Sequence, residues 1–388
     1  MRDRLVGERI RKSKQSILLL GPRQVGKSTL CRALEPGLYI DLADQATFLA
    51  HSKDAGLLRR ELAAHAQARL VVIDEAQRVP TILNTVQSLI DASGKRLRFI
   101  ITGSSARKLK RGGANLLPGR LILERLDPLS IAEIRENADL TRCMQLGMLP
   151  GIYDGGHEAI DVLGTYADVY LREEVQAEAL TTNIGAYARF LDTIAAASGQ
   201  WINYSKLASD AEIPKETLRR FIQLLDDTLL CVRIPPYRPA GGTSRKVQQR
   251  ERVLLFDVGV RNALLGTHRR HVAADQAGSV FEQWVILQVV YLEHALRAGW
   301  RLSTYRSEAG AEVDLIIERD DDVLAVEIKH GAALPRSTPA GCGRLPHSMA
   351  DPRSLCSVGS STAANAAARF DDGVEVWPVL DGLRALQE

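Results

Sequence analysis

Cysteine is scarce. The five present, Cys31, Cys143, Cys231, Cys342 and Cys356, are odd in number, scattered and without CxxC spacing, which excludes a disulfide framework and the usual zinc patterns. A reducing, cytoplasmic compartment fits that usage. Long apolar runs are also missing. No segment approaches the roughly 20 apolar residues that span a bilayer, and the opening MRDRLVGERIRKSKQS lacks the apolar stretch of a signal peptide, so no membrane insertion is expected. Neither sign of charge dominates: 50 Lys plus Arg against 47 Asp plus Glu leave +3, too balanced to demand a nucleic-acid partner, so any basic surface must be local. A chain of 388 residues with 45% hydrophobic and 25% charged content fits a soluble globular protein with two or three separate cores. There is no internal repeat.

What is present is alternation. From Ser16 to about Leu140, the β-rich runs ILLL, LYIDL, LVVID and RFIITG are separated by helical patterns, as in parallel βαβ units. From Leu146 to about Arg269 the pattern is mostly helical, closing with CVRI and VLLFD. A helix near Ser279 to Ala298 then precedes WRLSTYR, EVDLIIE and VLAVEIK, which alternate as strands do. The expected organisation is an ATP-binding domain over 1–140, a helical connector over 141–185, a winged-helix-like domain over 186–270, and an α/β domain over 275–388 that is irregular across 330–369.

The apolar run ILLL leads into GPRQVGKST, that is Gly21, Pro22, Arg23, Gln24, Val25, Gly26, Lys27, Ser28 and Thr29, followed by the helical TLCRALE. Strand, glycine loop and helix are the context in which this pattern cradles phosphates. Gly21 and Gly26 let the backbone curl so that its N–H groups face the phosphates, Lys27 reaches the β and γ phosphates, and Ser28 ligates magnesium. VVIDEAQRVP supplies the other half. Asp74, at the carboxyl end of a buried strand, holds magnesium through water, and Glu75 orients or deprotonates the attacking water. Another strand ends in Thr102, Gly103, Ser104 and Ser105; Ser104 is the candidate sensor between γ phosphate and water, with simple turn chemistry as the alternative. Arg120, in LPGR, is either an arginine finger on a neighbouring subunit, an intramolecular sensor, or half of a surface salt bridge.

With these elements in this order the chain resembles AAA+ type P-loop ATPases of bacteria and archaea, and more closely the group fused to an uncharacterised C-terminal domain. The resemblance rests on GPRQVGKST, IDEAQ, ITGSS, LPGR with LDPLS, GMLPGIY, and FEQWV with EVDLII and VEIK, and covers roughly residues 10 to 330. GMLPGIY departs from the usual GG-x-P, having Met148 between Gly147 and Pro150. The resemblance implies an α/β ATPase core with ATP and magnesium as cofactors, and leaves the biological role open.

In the middle, INYSKLASDAEIPKETLRRFIQLLDD reads as a short helix capped by Ser205 and a second opened by Pro214. With the strands after it, this is the order of a winged helix-turn-helix. Lys215, Arg219 and Arg220 would then meet DNA phosphates, unless the module only packs domains together. Near the end, Glu282, Asp314, Glu327 and Lys329 have the order of a PD-(D/E)xK nuclease core, a restriction-endonuclease-like fold in which paired carboxylates share a metal and lysine activates water. A tight turn at Asp320 to Asp322 would make EVDLIIE and VLAVEIK an antiparallel hairpin. The fold without activity, and charged residues flanking ordinary strands, are the alternatives. From His330 to about Arg369 the Pro-, Ser-, Ala- and Gly-rich stretch without period suggests either a local reading-frame shift or a flexible linker. Two functions stay open: ATP-driven rearrangement of attached domains on nucleic acid, or a nucleotide-gated protein-interaction switch with an inactive docking domain. DNA, a protein partner and self-association are the corresponding partner classes.

Overall fold

The computed structural model describes residues 2–93, 96–105, 119–134, 138–170, 183–238, 250–306, 312–319, 322–331, 355–359, 368–369 and 375–387. The chain divides into two compact units, one of residues 1–128 with 224–230, the other of 129–223 with 231–388.

The first unit is built on a five-stranded sheet of β1 (Ser16–Leu20), β2 (Leu38–Asp41), β3 (Leu70–Asp74), β4 (Arg98–Gly103) and β5 (Leu121–Arg125). Every pairing is parallel and the order is β2-β3-β4-β1-β5. It is an all-parallel α/β sheet, as the alternation of strand-like and helical runs required. Parallel strands are covered on both faces, which is why β1, SILLL, is buried at every position rather than alternating. Val71, Ile73, Phe99 and Ile101 of β3 and β4 pack with Leu58, Leu83 and Val86 in one core. Because β4 lies between β1 and β3, the ends of all three strands, Gly21, Asp74 and Thr102, emerge together at the carboxyl edge of the sheet. LILER was not among the strand-like runs. It became β5 because β1 offers it a parallel partner, from Ser16 opposite Leu121 to Leu20 opposite Arg125.

Ile184–Ala197, Tyr204–Asp210 and Lys215–Asp227 are helices of the second unit, except that the last turn from Leu224 belongs to the first, and they are followed by an antiparallel pair, β6 (Cys231–Ile234) and β7 (Arg252–Leu255). Tyr187, Phe190 and Phe221 meet with ring centroids 5.1 to 5.6 Å apart and tie the first of these helices to the third. The cap of the short middle helix is Asn203, whose side chain accepts from Lys206 N–H, and not Ser205, which lies one residue inside. GMLPGIY has a packing explanation. Gly147 has φ 76, and a Cβ there would fall 1.9 Å from Asp257 Oδ1. Asp257 accepts from Met148 N–H at 2.7 Å and from Gly259 and Val260 N–H, capping the helix Val258–Leu264.

The largely buried helix Ala274–Leu296 precedes a six-stranded sheet ordered β12-β13-β11-β10-β9-β8. Its strands are β8 (Arg301–Arg306), β9 (Glu312–Arg319), β10 (Asp322–Lys329), β11 (Leu355–Gly359), β12 (Ala368–Arg369) and β13 (Glu375–Pro378), followed by the helix Val379–Ala385. β9 and β10 pair antiparallel, with Asp322 opposite Arg319, as the hairpin expectation required. Asp320 and Asp321 of the expected turn, and most of 330–369, lie outside the described residues. No described helix is long and apolar enough to cross a membrane.

Candidate nucleotide site

β1 delivers Gly21 into the loop that precedes the helix Lys27–Arg32. A Cβ on Gly21 would meet Leu126 O at 2.1 Å, so only glycine lets the loop pass the residue after β5 this closely. Gly26 has φ 94, the left-handed region glycine enters without strain. Lys27 is buried, and its Nζ donates to Gly21 O and Pro22 O, both at 2.8 Å. The ammonium therefore lies within the curl of the loop, held by carbonyls that a phosphate can replace. Ser28 follows on the first turn of the helix and Thr29 is exposed beyond it.

At the end of β3, Asp74 is 2% exposed and both its carboxylate oxygens are engaged. Tyr39 Oη donates to Oδ2 at 2.6 Å, and Thr102 Oγ1 donates to Oδ1. Burial, and then the bond to Asp74, push the Tyr39 hydroxyl above its ordinary range, which keeps it a donor. Burial and next the Asp74 charge likewise push the neighbouring Cys31 thiol up to about 12. Glu75 has φ 57, a strained region for a non-glycine residue. Two contacts hold it there: its N–H donates to Thr102 Oγ1 at 3.0 Å, and its carboxylate accepts from Gln77 Nε2. The same Gln77 nitrogen lies 3.0 Å from Ser104 Oγ.

The sheet thus brings together Lys27, Asp74, Glu75 and Ser104, but the residue touching Asp74 from β4 is Thr102. Ser104 touches Gln77 instead. Arg120 makes a bidentate pair with Asp91, 2.7 and 3.1 Å, on the exposed surface. Tyr39, Gln77 and Thr102 were not assigned roles from the sequence. Gln77 and Thr102 stand inside runs already singled out, DEAQ and ITGSS, whereas Tyr39 carries no local signal.

In the second unit, Asp314, Glu327 and Lys329 lie on one face. Val326 pairs with Leu315, and one step further in that register sets Glu327 opposite Asp314. Lys329 Nζ pairs with Glu327 Oε1. Asp314 Oδ2 accepts from Ile328 N–H at 2.7 Å. Burial, and then the Glu282 charge, push Asp314 up to about 7; burial and then Asp314 push Glu327 upward too. Glu282 itself is bound to the buried Arg252, which also donates to Gly199 O and to Asp314 O. Among the described residues, no group of three or more His, Cys, Asp or Glu is arranged to hold a metal ion.

Residues 13–135 match the family model of an AAA domain. Residues 137–271 and 277–380 match two domains of unknown function, DUF8612 and DUF4143. The chain is similar to uncharacterised proteins of Mycobacterium bovis and Mycobacterium tuberculosis, each 26% identical over 81% of this chain and 70% of theirs. An uncharacterised protein of Methanocaldococcus jannaschii is 27% identical over 46% of this chain and 37% of its own length. Among solved structures, a Pif1 helicase described at forked dsDNA matches with TM-score 0.26 and 12% identity over 42% of this chain and half (50%) of that one. AMPPCP-bound DnaA from Aquifex aeolicus matches with TM-score 0.28 and 12% identity over 57% and 86%. Both scores are too low to speak to function. The AAA match over residues 13–135 and the loop geometry agree on a P-loop ATPase domain in this part of the chain.

Proposed function

We propose that the chain binds ATP with magnesium and hydrolyses it to rearrange its attached domains on nucleic acid. One observation carries this: β1, β3 and the strand between them bring Lys27, Asp74, Glu75 and Ser104 to a single edge of the sheet. Lys27 exchanges its loop carbonyls for the β and γ phosphates. Ser28 and Asp74 are the residues that would hold magnesium, Asp74 through water because its oxygens already accept from Tyr39 and Thr102. The metal supplies positive charge to the phosphates. Glu75 takes the proton of the attacking water or orients it, and Gln77, anchored beside Ser104, sets the direction of that carboxylate. An ATPase assay with and without DNA tests the reading: equal rates for the parent and Glu75→Gln would sink it.

The helices Tyr204–Asp210 and Lys215–Asp227 with the β6–β7 pair support a winged-helix reading of the middle. Lys215, Arg219 and Arg220 give it a basic face, on which Arg219 also pairs with Glu216. Weak, salt-sensitive DNA binding is the expected outcome, and replacing all three with Ala should lower both affinity and salt slope. Unchanged binding in the triple variant would move the contact elsewhere.

A second reading for the last domain is favoured by Arg252. Its guanidinium occupies Glu282, so the nuclease-like sheet serves as a docking domain without cleavage, and the ATPase acts as a nucleotide-gated switch. Magnesium-dependent cleavage that disappears in both Asp314→Asn and Glu327→Gln would reject this second reading.

A further inference from the structure

The nucleotide chemistry leaves one buried charge beside the loop without a role. Arginine is rarely buried unless its donors are well placed, and Arg4 is 8% exposed. Its Nη1 donates to Val25 O at 2.7 Å, and its Nη2 to Asp127 O at 2.7 Å and Pro128 O at 3.3 Å. Val25 O belongs to the phosphate loop, in the peptide unit that joins Val25 to Gly26. A trans peptide unit is planar, so its C=O and N–H point in opposite directions, and holding the oxygen fixes where the Gly26 N–H points. That peptide is otherwise soft, because Gly26, at φ 94, has no side chain to resist rotation. The guanidinium stands against this pivot: a Cβ on Gly26 would lie 3.8 Å from Arg4 Nη1.

The helix Leu5–Lys12, which follows Arg4 directly, is held firmly enough to make the contact a fixed one. Val6 and Ile10 are buried, and Gly7 approaches Leu30 so closely that a Cβ would lie 2.9 Å from Leu30 Cδ1. Arg9 pairs with Glu124 of β5, and Arg98 of β4 donates to Ile10 O at 3.1 Å. Arg4 thus joins the loop to a helix fastened to the same sheet.

We propose that Arg4 is a positioning residue of the phosphate site: by clamping Val25 O it aims the Gly26 N–H at the polyphosphate chain. The role rests on the reading of Gly21 to Thr29 as a phosphate loop, and it concerns the phosphates rather than the base. In the full chain, Arg4→Ala should raise the dissociation constants for MgATP and for magnesium tripolyphosphate by the same factor, about tenfold. KM for ATP should rise in step, while kcat at saturation stays within about twofold, because Glu75 is untouched. Arg4→Lys should recover only part of the loss, since a single ammonium lacks the fork that spans Val25 O and Asp127 O. Arg4→Gln carries the same comparison if Arg4→Ala does not fold.

A lowered melting temperature with parental affinity for both ligands would make Arg4 merely structural and overturn the proposal. Weakened ATP binding with unchanged tripolyphosphate binding would place its action at the base and overturn it as well. A parent that binds neither ligand, and does not differ from Lys27→Ala, removes the phosphate-loop reading and this role together. Loss of binding in Lys27→Ala beside parental affinity in Arg4→Ala leaves the loop reading standing and removes Arg4 alone.

Discussion

Two acidic sites at strand ends can be compared directly. In the first unit, Asp74 and Glu75 are held by neutral groups: the hydroxyls of Tyr39 and Thr102, and the amide of Gln77. In the second, Glu282 is held by Arg252 and Glu327 by Lys329, while Asp314 has a backbone N–H. Neutral donors orient a carboxylate and leave its charge for an incoming cation. A fixed guanidinium or ammonium cancels that charge, and a metal must displace it first. Acids, lysine and strand ends are common to both places, so the identity of the partners, rather than the motif, separates carboxylates oriented by neutral donors from carboxylates paired with fixed cations.

The comparison breaks most easily at the nucleotide site. Lys27→Ala should abolish nucleotide binding, and Glu75→Gln should keep binding while losing turnover by about 10²–10⁴-fold, as expected when a general base is removed. Binding titration beside steady-state rates separates the two. Next in size is Arg252→Met, which strands the partly buried Glu282 and should cost about 3 kcal/mol in denaturant unfolding without touching ATPase rate. If Arg252→Met gained manganese-dependent DNA cleavage instead, the guanidinium would be a removable guard and the contrast would narrow.

Gln77→Ala should lower kcat about tenfold with KM unchanged, because Glu75 keeps its charge and loses its direction. An unchanged kcat would show that the left-handed backbone of Glu75 alone sets its aim. The pH profile tests the second site. Asp314 has a folded pKa of about 7, above its unfolded value, so the native state binds the extra proton. Its contribution to stability is therefore complete below the unfolded pKa, near 4, and is lost as pH rises from about 4 to about 7. Asp314→Asn, which still offers an oxygen to Ile328 N–H, should flatten that slope in unfolding curves. A parental slope in the variant would assign it to other groups. The smallest effect is expected of Arg120→Ala, since the Asp91 pair is exposed. Stability and ATPase rate should hardly change; a fall that depends on protein concentration would restore Arg120 as a finger between subunits.

Much of the nucleotide site was legible because its chemistry requires neighbours in sequence. Gly21 to Thr29 is one loop with the helix start that follows it, and Asp74 and Glu75 are one strand end, so their types and order can be read locally. Ser104 was harder. A strand end offers several small polar residues, and only the neighbours in space decide their partners: Thr102, still inside β4, reaches Asp74, whereas Ser104, just past the strand, meets Gln77. β5 was missed because LILER acquires its meaning from the partner beside it, and the cap of the short middle helix falls on Asn203 rather than Ser205 because the helix starts at Tyr204, earlier than the pattern indicated.

The sequence by itself determined the parallel α/β core, the strand, glycine loop and helix around Gly21 to Thr29, and the hairpin that carries Asp314 and Glu327, because periodicity and contiguous motifs are local properties of the chain. Only the tertiary structure decided the partners. Tyr39 reaches Asp74 across 35 positions, Arg4 reaches Val25 across 21, and Arg252 reaches Glu282 across 30. Each of these contacts depends on which strands and helices are neighbours in space, which no local pattern of residues encodes.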